Sequence, residues 1–205
     1  MSKPPLILAS TSQNRIDQLK SLAIPFVHIA PTCDEAALKL KFKHLNVYAL
    51  AKQLAKEKAQ SITAPSNAII LAADQICAYD TLYFDKPLTH ENALEQLKTL
   101  QGQTHEIITA LCLVQNHTVI WEHVEITKLK MRPLSDDEID LYLHLEKPYQ
   151  SCGAYHYETL GKWLFESVCG LESNIIGLPM PVITEVFYKQ GLFALSKDLL
   201  TSIKE

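Results

Sequence analysis

Short apolar runs alternate with helix-patterned segments along this chain, and that alternation is the strongest constraint on its fold. Leu6-Ile7-Leu8-Ala9 and Ala68-Ile69-Ile70-Leu71-Ala72-Ala73 contain no polar residue and are too short for an ordinary helix. Each reads as a buried strand. After the first, Ser10-Thr11-Ser12 supplies cap residues. Gln13 to Ala23 then reads as a helix, with Ile16, Leu19 and Leu22 inward and Pro25 ending it. Phe26 to Ile29 reads as a second strand. Residues 30–45 lack a clean period and read as mostly loop. Asn46 is placed to cap a helix running to about Ile62.

The second apolar run ends at Asp74, and residues 75–84 continue as a hairpin turning near Asp80-Thr81. Thr89 caps a helix to Leu100, which Gly102 stops. Thr104 to Met131 reads as a long antiparallel hairpin turning at Gln115-Asn116-His117. Ser135-x-x-Glu138 is a capping-box pattern opening a helix to about Leu145. Residues 163–169 read as a last core strand, and Pro181 to Lys189 as a C-terminal helix. The class is α/β. No linker rich in Pro, Gly or Ser separates independent domains, so residues 1–205 are expected to form a single domain.

Charge and composition exclude several function classes. The net charge of −4 provides no basic field for DNA or RNA, although a single nucleotide needs only a few local cations. No run of about 18 apolar residues occurs, and the apolar stretch near the N-terminus is too short for a signal peptide. No membrane association is therefore expected. Cys33, Cys77, Cys112, Cys152 and Cys169 form no C-x-x-C pair, and they read as reduced, mostly buried thiols of a cytoplasmic protein. The eight histidines show no zinc-ligand spacing.

Six features carry chemistry. Ser10 to Arg15 follows a strand and opens a helix, so backbone N–H groups, hydroxyls and a guanidinium could cradle a phosphate. Plain helix capping is the other reading. Lys58 falls in the apolar stripe of Val47, Leu50, Ala51, Leu54, Ala55 and Ile62, where a lysine must snorkel or meet an anion. Asp74 closes a buried strand, where α/β folds place ligand sites, and could bind a metal or act as a general base. It equally suits a turn cap. Asp34-Glu35 could add a second carboxylate, or be a solvated acidic loop. Pro87 holds Lys86 extended, either toward a phosphate or into solvent. Cys152-Gly153-Ala154-Tyr155-His156-Tyr157-Glu158 could line a base pocket or form a turn with packed tyrosines.

Taken together and in order, these segments resemble the Maf family. Leu6-Ile7-Leu8-Ala9-Ser10-Thr11-Ser12 with Arg15 is similar to its N-terminal signature. Asp34-Glu35, Leu54-Ala55-Lys56-Glu57-Lys58-Ala59, Ala73-Asp74-Gln75 and Lys86-Pro87 follow in the family's order. So do Gly102-Gln103-Thr104-His105, Gly153-Ala154-Tyr155 and Ser173-Asn174-Ile175-Ile176-Gly177-Leu178-Pro179. The resemblance implies an elongated mixed sheet flanked by helices, with two lobes and a central cleft. It also implies hydrolysis of a nucleoside triphosphate to the monophosphate and pyrophosphate, dependent on Mg²⁺, Mn²⁺ or Co²⁺.

In that reading Asp74 is the proton acceptor, Ser10, Arg15, Lys58 and Lys86 bind substrate, and Glu35 joins Asp74 on the metal. Asn14, Gln75 and Glu158 fall on base-facing positions. Gln75 and Glu158 look like the subgroup acting on 7-methyl-GTP, whereas Asn14 stands where that subgroup usually has an aromatic. Ile16 replaces a second arginine, and Ala72 and Asp85 replace glycines. The alternatives are a dTTP/UTP-type pyrophosphatase, a triphosphatase releasing orthophosphate, and a non-catalytic nucleotide-binding regulator of septum formation. The expected partners are a small-molecule nucleotide and, at most, a second copy in a homodimer.

Overall fold

The computed structural model describes residues 4–191. Among them the chain is a mixed α/β fold with one seven-stranded sheet and flanking helices. The elements are β1 (Leu6–Leu8), α1 (Gln13–Lys20), β2 (Phe26–His28), α2 (Glu35–Lys41), α3 (Val47–Gln60), β3 (Ile69–Tyr79) and β4 (Leu82–Phe84). They continue with α4 (His90–Leu100), β5 (Thr104–Gln115), β6 (Thr118–Met131), α5 (Asp136–Glu146), β7 (Phe165–Cys169), α6 (Glu172–Ile176) and α7 (Met180–Lys189). Strand order is β2-β1-β3-β5-β6-β7, with β4 pairing to β3.

The described residues group into two compact units. The first holds the chain up to Asp74, Ala110–Val124 and the segment from Gly177. In it β1 pairs in parallel with both β2 and β3, and Leu6 stands opposite Phe26 and Ile69. All three residues of β1 are buried, as in a central parallel strand covered on both faces. Its core packs Leu6, Leu8, Leu19, Ile69, Leu71, Leu111, Leu113, Ile183 and Phe187.

The second unit holds Gln75–Thr109 and Glu125–Ile176. Its core packs Leu97, Leu100, Ile107, Leu129, Met131, Leu143, Tyr155 and Phe165. The capping box at Ser135 and Glu138 forms as expected and starts α5. Asn116 and His117, both at positive φ (48° and 59°), make the two-residue turn between β5 and β6. That backbone pair matches the right-handed twist of a hairpin.

Five expectations need correction. Residues 30–45 are not mostly loop: α2 forms there, capped by the Asp34 side chain accepting from the Ala37 N–H. β3 does not end at Asp74 but runs to Tyr79, because Ile76 and Cys77 are buried and Cys77 to Tyr79 pair with β4. α1 stops at Lys20, three residues early, and Ala23 takes a positive φ of 52° ahead of Pro25. β7 is a terminal strand with mostly exposed side chains, and a 3-10 turn at Leu160–Leu164 precedes it. Of the five free cysteines only Cys77 and Cys112 are buried. Among the described residues no helix is long and apolar enough to cross a membrane.

Candidate active site

Helix α3 places a lysine where its periodicity puts an apolar residue. Leu50, Ala51, Leu54, Ala55 and Ala59 are its buried face. Lys58 follows Leu54 by four residues and Ala55 by three, so it shares that face. Its side chain is 15% exposed, and its ammonium lies 2.5 Å from Asp74 Oδ1 and 2.8 Å from Glu35 Oε2. For an ammonium largely withdrawn from water, attraction to two carboxylates offsets the desolvation penalty. The same contact explains how β3 carries a carboxylate, 3% exposed, through its middle.

Glu35 reaches this point through a chain of polar ties. Thr32 donates from its N–H to Ser61 Oγ (3.1 Å) and from its hydroxyl to the Ser61 carbonyl (3.0 Å). Ser61 Oγ in turn donates to the Lys58 carbonyl at 2.8 Å. The segment entering α2 is thereby fixed to the end of α3, and the first residue of α2 is Glu35. Lys39, one turn along, lies 2.9 Å from Glu35 Oε1.

The two carboxyls titrate in opposite directions. Partial burial pushes Glu35 up, but Lys58, by charge and hydrogen bond, and then Lys39 outweigh it and hold the carboxyl at about 2. Full burial dominates at Asp74 and raises it above its ordinary value, against the pull of Lys58 and, more weakly, of Arg15. The Glu35 charge adds to the rise. A pair split this way combines a permanent anion with a carboxyl that takes up a proton more readily than an ordinary aspartate.

Arg15 braces the same strand. Its Nη1–H donates to the Ala73 carbonyl at 2.7 Å and its Nε–H to the Gly177 carbonyl at 3.2 Å. Gly177 sits at a φ of +146°, and a Cβ there would stand 3.0 Å from Arg15 Cγ. Gly177→Ala is therefore expected to cost about 1–3 kcal/mol of stability and to displace Arg15. A urea titration checks this: an unchanged unfolding free energy would show that the guanidinium yields freely. Ser10 is buried, and its Oγ accepts from the Ser12 N–H at 3.1 Å. Ser12 occupies the N-cap of α1 without a side-chain capping bond, and no acidic residue stands in the first turn. Helix N-terminal N–H groups in that state favour an anion. Asn14, in the first turn of α1, is half-buried.

The remaining expected site residues lie in the second unit. Gln75 Nε2 donates to the Asn174 carbonyl (2.6 Å) and to Thr109 Oγ1 (3.1 Å). Asn174, fully buried, donates to the Ile107 carbonyl and to Thr127 Oγ1. Lys86 and Glu158 are exposed. Tyr155 and Tyr157 pack in the core against Phe165 rather than standing open to a ligand, which supports the turn reading of that motif.

Sequence reasoning gave no role to three features. Lys39 was hidden with α2, although Glu35 and Lys39 have i,i+4 spacing. Asn174, which anchors Gln75, lies in the Ser173 to Pro179 segment of the family resemblance, but no role was expected of it. The third concerns the histidines: contrary to expectation, His90, Asp140 and His144 come together in a cluster able to coordinate a metal ion. Only the i,i+4 spacing of Asp140 and His144 marks it in the sequence.

The family described as Maf-like protein matches residues 5–190. A nucleoside triphosphate pyrophosphatase of Legionella pneumophila is 42% identical over 186 residues, covering 89% of this chain and 92% of the relative. A 7-methyl-GTP pyrophosphatase of Nitrosococcus oceani is 37% identical over 193 residues, covering 92% and 94%. A structure of a HAM1 protein from Coxiella burnetii aligns with a TM-score of 0.41 at 12% identity, covering 91% of this chain and 99% of that one.

Proposed function

Because the chain belongs to the Maf-like protein family, we propose that the Glu35–Lys58–Asp74 cluster serves the hydrolysis of a nucleoside triphosphate to its monophosphate and pyrophosphate. The observation that carries this reading is the half-buried ammonium of Lys58 gripping both carboxylates. It draws acids 39 residues apart in sequence to one point, Glu35 and Asp74.

Their donor set is all oxygen and suits a divalent cation such as Mg²⁺ or Mn²⁺, with Co²⁺ a borderline substitute. Glu35 and Asp74 would hold it, and when bound it supplies charge neutralisation to the phosphates. Ser10, Arg15, Lys58 and Lys86 take the phosphate oxygens, most usefully as charge grows on the leaving pyrophosphate. Asp74 accepts a proton from water as the water oxygen bonds to the α-phosphorus. The bond from the α-phosphorus to its bridging oxygen breaks, and the proton passes on to solvent or product.

Base choice falls to Asn14, Gln75 and Glu158. An ionised Glu158 accepts only, so it can pair with the two adjacent donors on guanine, and a positive charge on the N7-methylated base strengthens that pairing. This favours 7-methyl-GTP, the substrate in the name of the Nitrosococcus relative.

A screen of ordinary and modified nucleoside triphosphates with each metal decides the matter. Equal amounts of monophosphate and pyrophosphate are expected, fastest from 7-methyl-GTP. Orthophosphate as the released product sinks the assignment. Tight nucleotide binding without turnover would instead favour the regulator of septum formation.

A further inference from the structure

His90, Asp140 and His144, which the chemistry above leaves unused, meet on one face of the second unit. His90 is the first residue of α4, and Asp140 and His144 are one turn apart on α5. His90 Nε2 lies 2.9 Å from Asp140 Oδ1. His144 Nδ1 lies 3.3 Å from Asp140 Oδ2 and 2.9 Å from the Asp140 carbonyl oxygen. The two imidazole centroids are 4.8 Å apart. One ligand atom from each of the three residues falls within 4.8 Å of the others.

The ring of His90 is held from behind. Its Nδ1 lies 3.1 Å from the Tyr149 hydroxyl, so Nε2 is fixed toward Asp140. A partner on the distal nitrogen is the usual support of a metal-ligating histidine. Two imidazoles and a carboxylate suit zinc and its transition-metal neighbours, whereas Mg²⁺ demands oxygen. Ligand atoms about a tetrahedral zinc stand roughly 3.3 Å apart, and the three here, within 4.8 Å of one another, need only small side-chain rotations to close on an ion. The side chains of Asp140 and His144 are 51% and 65% exposed, so an ion can enter from solvent.

We propose that His90, Asp140 and His144 form a transition-metal site, best filled by Zn²⁺, that clips the start of α4 to α5. Three protein ligands leave the fourth position to water. These helices contribute Ala93, Leu97, Leu100, Ile139 and Leu143 to the core of the second unit. An ion bound there stabilises that unit by mass action, since the unfolded chain lacks the site.

The test uses full-length protein stripped of metal and titrated with zinc chloride alone, followed by calorimetry and thermal melting. The wild type binds one more equivalent of Zn²⁺ than His90→Gln/His144→Gln, and zinc raises the melting temperature of the wild type by an increment the double variant lacks. Tyr149→Phe retains all three ligands and binds about tenfold more weakly. Asp74→Asn keeps this equivalent, which separates the site from the Glu35–Asp74 pair. Equal stoichiometry and affinity in the wild type and the double variant overturn the proposal. Should the double variant lack native circular dichroism, the ring ¹⁵N resonances of His90 and His144 in the wild type decide. They shift with one equivalent of zinc if the site exists, and unmoved resonances reject it.

Discussion

Asp74→Asn is expected to lower kcat by about 10²–10⁴-fold, with the folded structure intact. Asparagine keeps the shape of the side chain and a hydrogen-bond acceptor for Lys58, but it cannot take a proton from water. The substitution also removes a charge that the fold holds at a cost. Burial raises the folded-state pKa of Asp74 above its unfolded value, so the native state binds the proton more tightly. Stability contributed by that proton is present at low pH and lost as pH rises from the ordinary value of 3.8 through the folded value.

Asp74→Asn therefore flattens this part of the pH–stability profile while removing turnover. Glu35 behaves in the opposite way: held at about 2, it contributes stability above its ordinary value of 4.5, which fades as pH falls toward 2. Steady-state pyrophosphate release and chemical denaturation at several pH values check both halves. Full turnover in a folded Asp74→Asn protein removes Asp74 from the chemistry.

How much of this was legible in the sequence varies from residue to residue. Lys58 was partly readable, because a single charge on an apolar stripe violates helical periodicity and must either snorkel or meet an anion. Asp74 was readable for a related reason, as a carboxylate abutting six apolar residues. Glu35 stood out only through the family resemblance, since α2 buries none of its side chains and so leaves no periodic trace, and its position depends on Thr32 meeting Ser61. The strand boundary at Asp74 misled because a buried charge mimics a strand end. Here a cation from another element satisfies it, and the ladder continues to Tyr79. Tyr155 and Tyr157 pack into a core, and aromatics look alike in sequence whether they pack against protein or ligand. The histidine cluster left only the i,i+4 spacing of Asp140 and His144 as a trace: His90 and Asp140 are 50 residues apart, and no local pattern encodes that closure.

Lys58→Met should damage the protein more than any other single change to the cluster. Methionine fills a similar volume on α3, so packing survives while the cation vanishes. Asp74 then stands 3% exposed beside the Glu35 charge without its ammonium. Removing one partner of a buried ion pair costs about 3–5 kcal/mol, which for a chain of this length lowers the melting temperature on the order of 10 °C. The sign with pH follows from protonation. At low pH Asp74 is neutral and the loss is small, and the loss grows as pH rises through its further elevated pKa. Asp74→Asn in the Lys58→Met background removes the stranded charge and should restore most of the stability without restoring turnover. The two sites thus couple strongly in a double-mutant cycle, as contacting residues do. A Lys58→Met protein that melts like the wild type at both mildly acidic and alkaline pH, or a double variant no more stable than Lys58→Met, would show that the lysine does not hold this aspartate in solution.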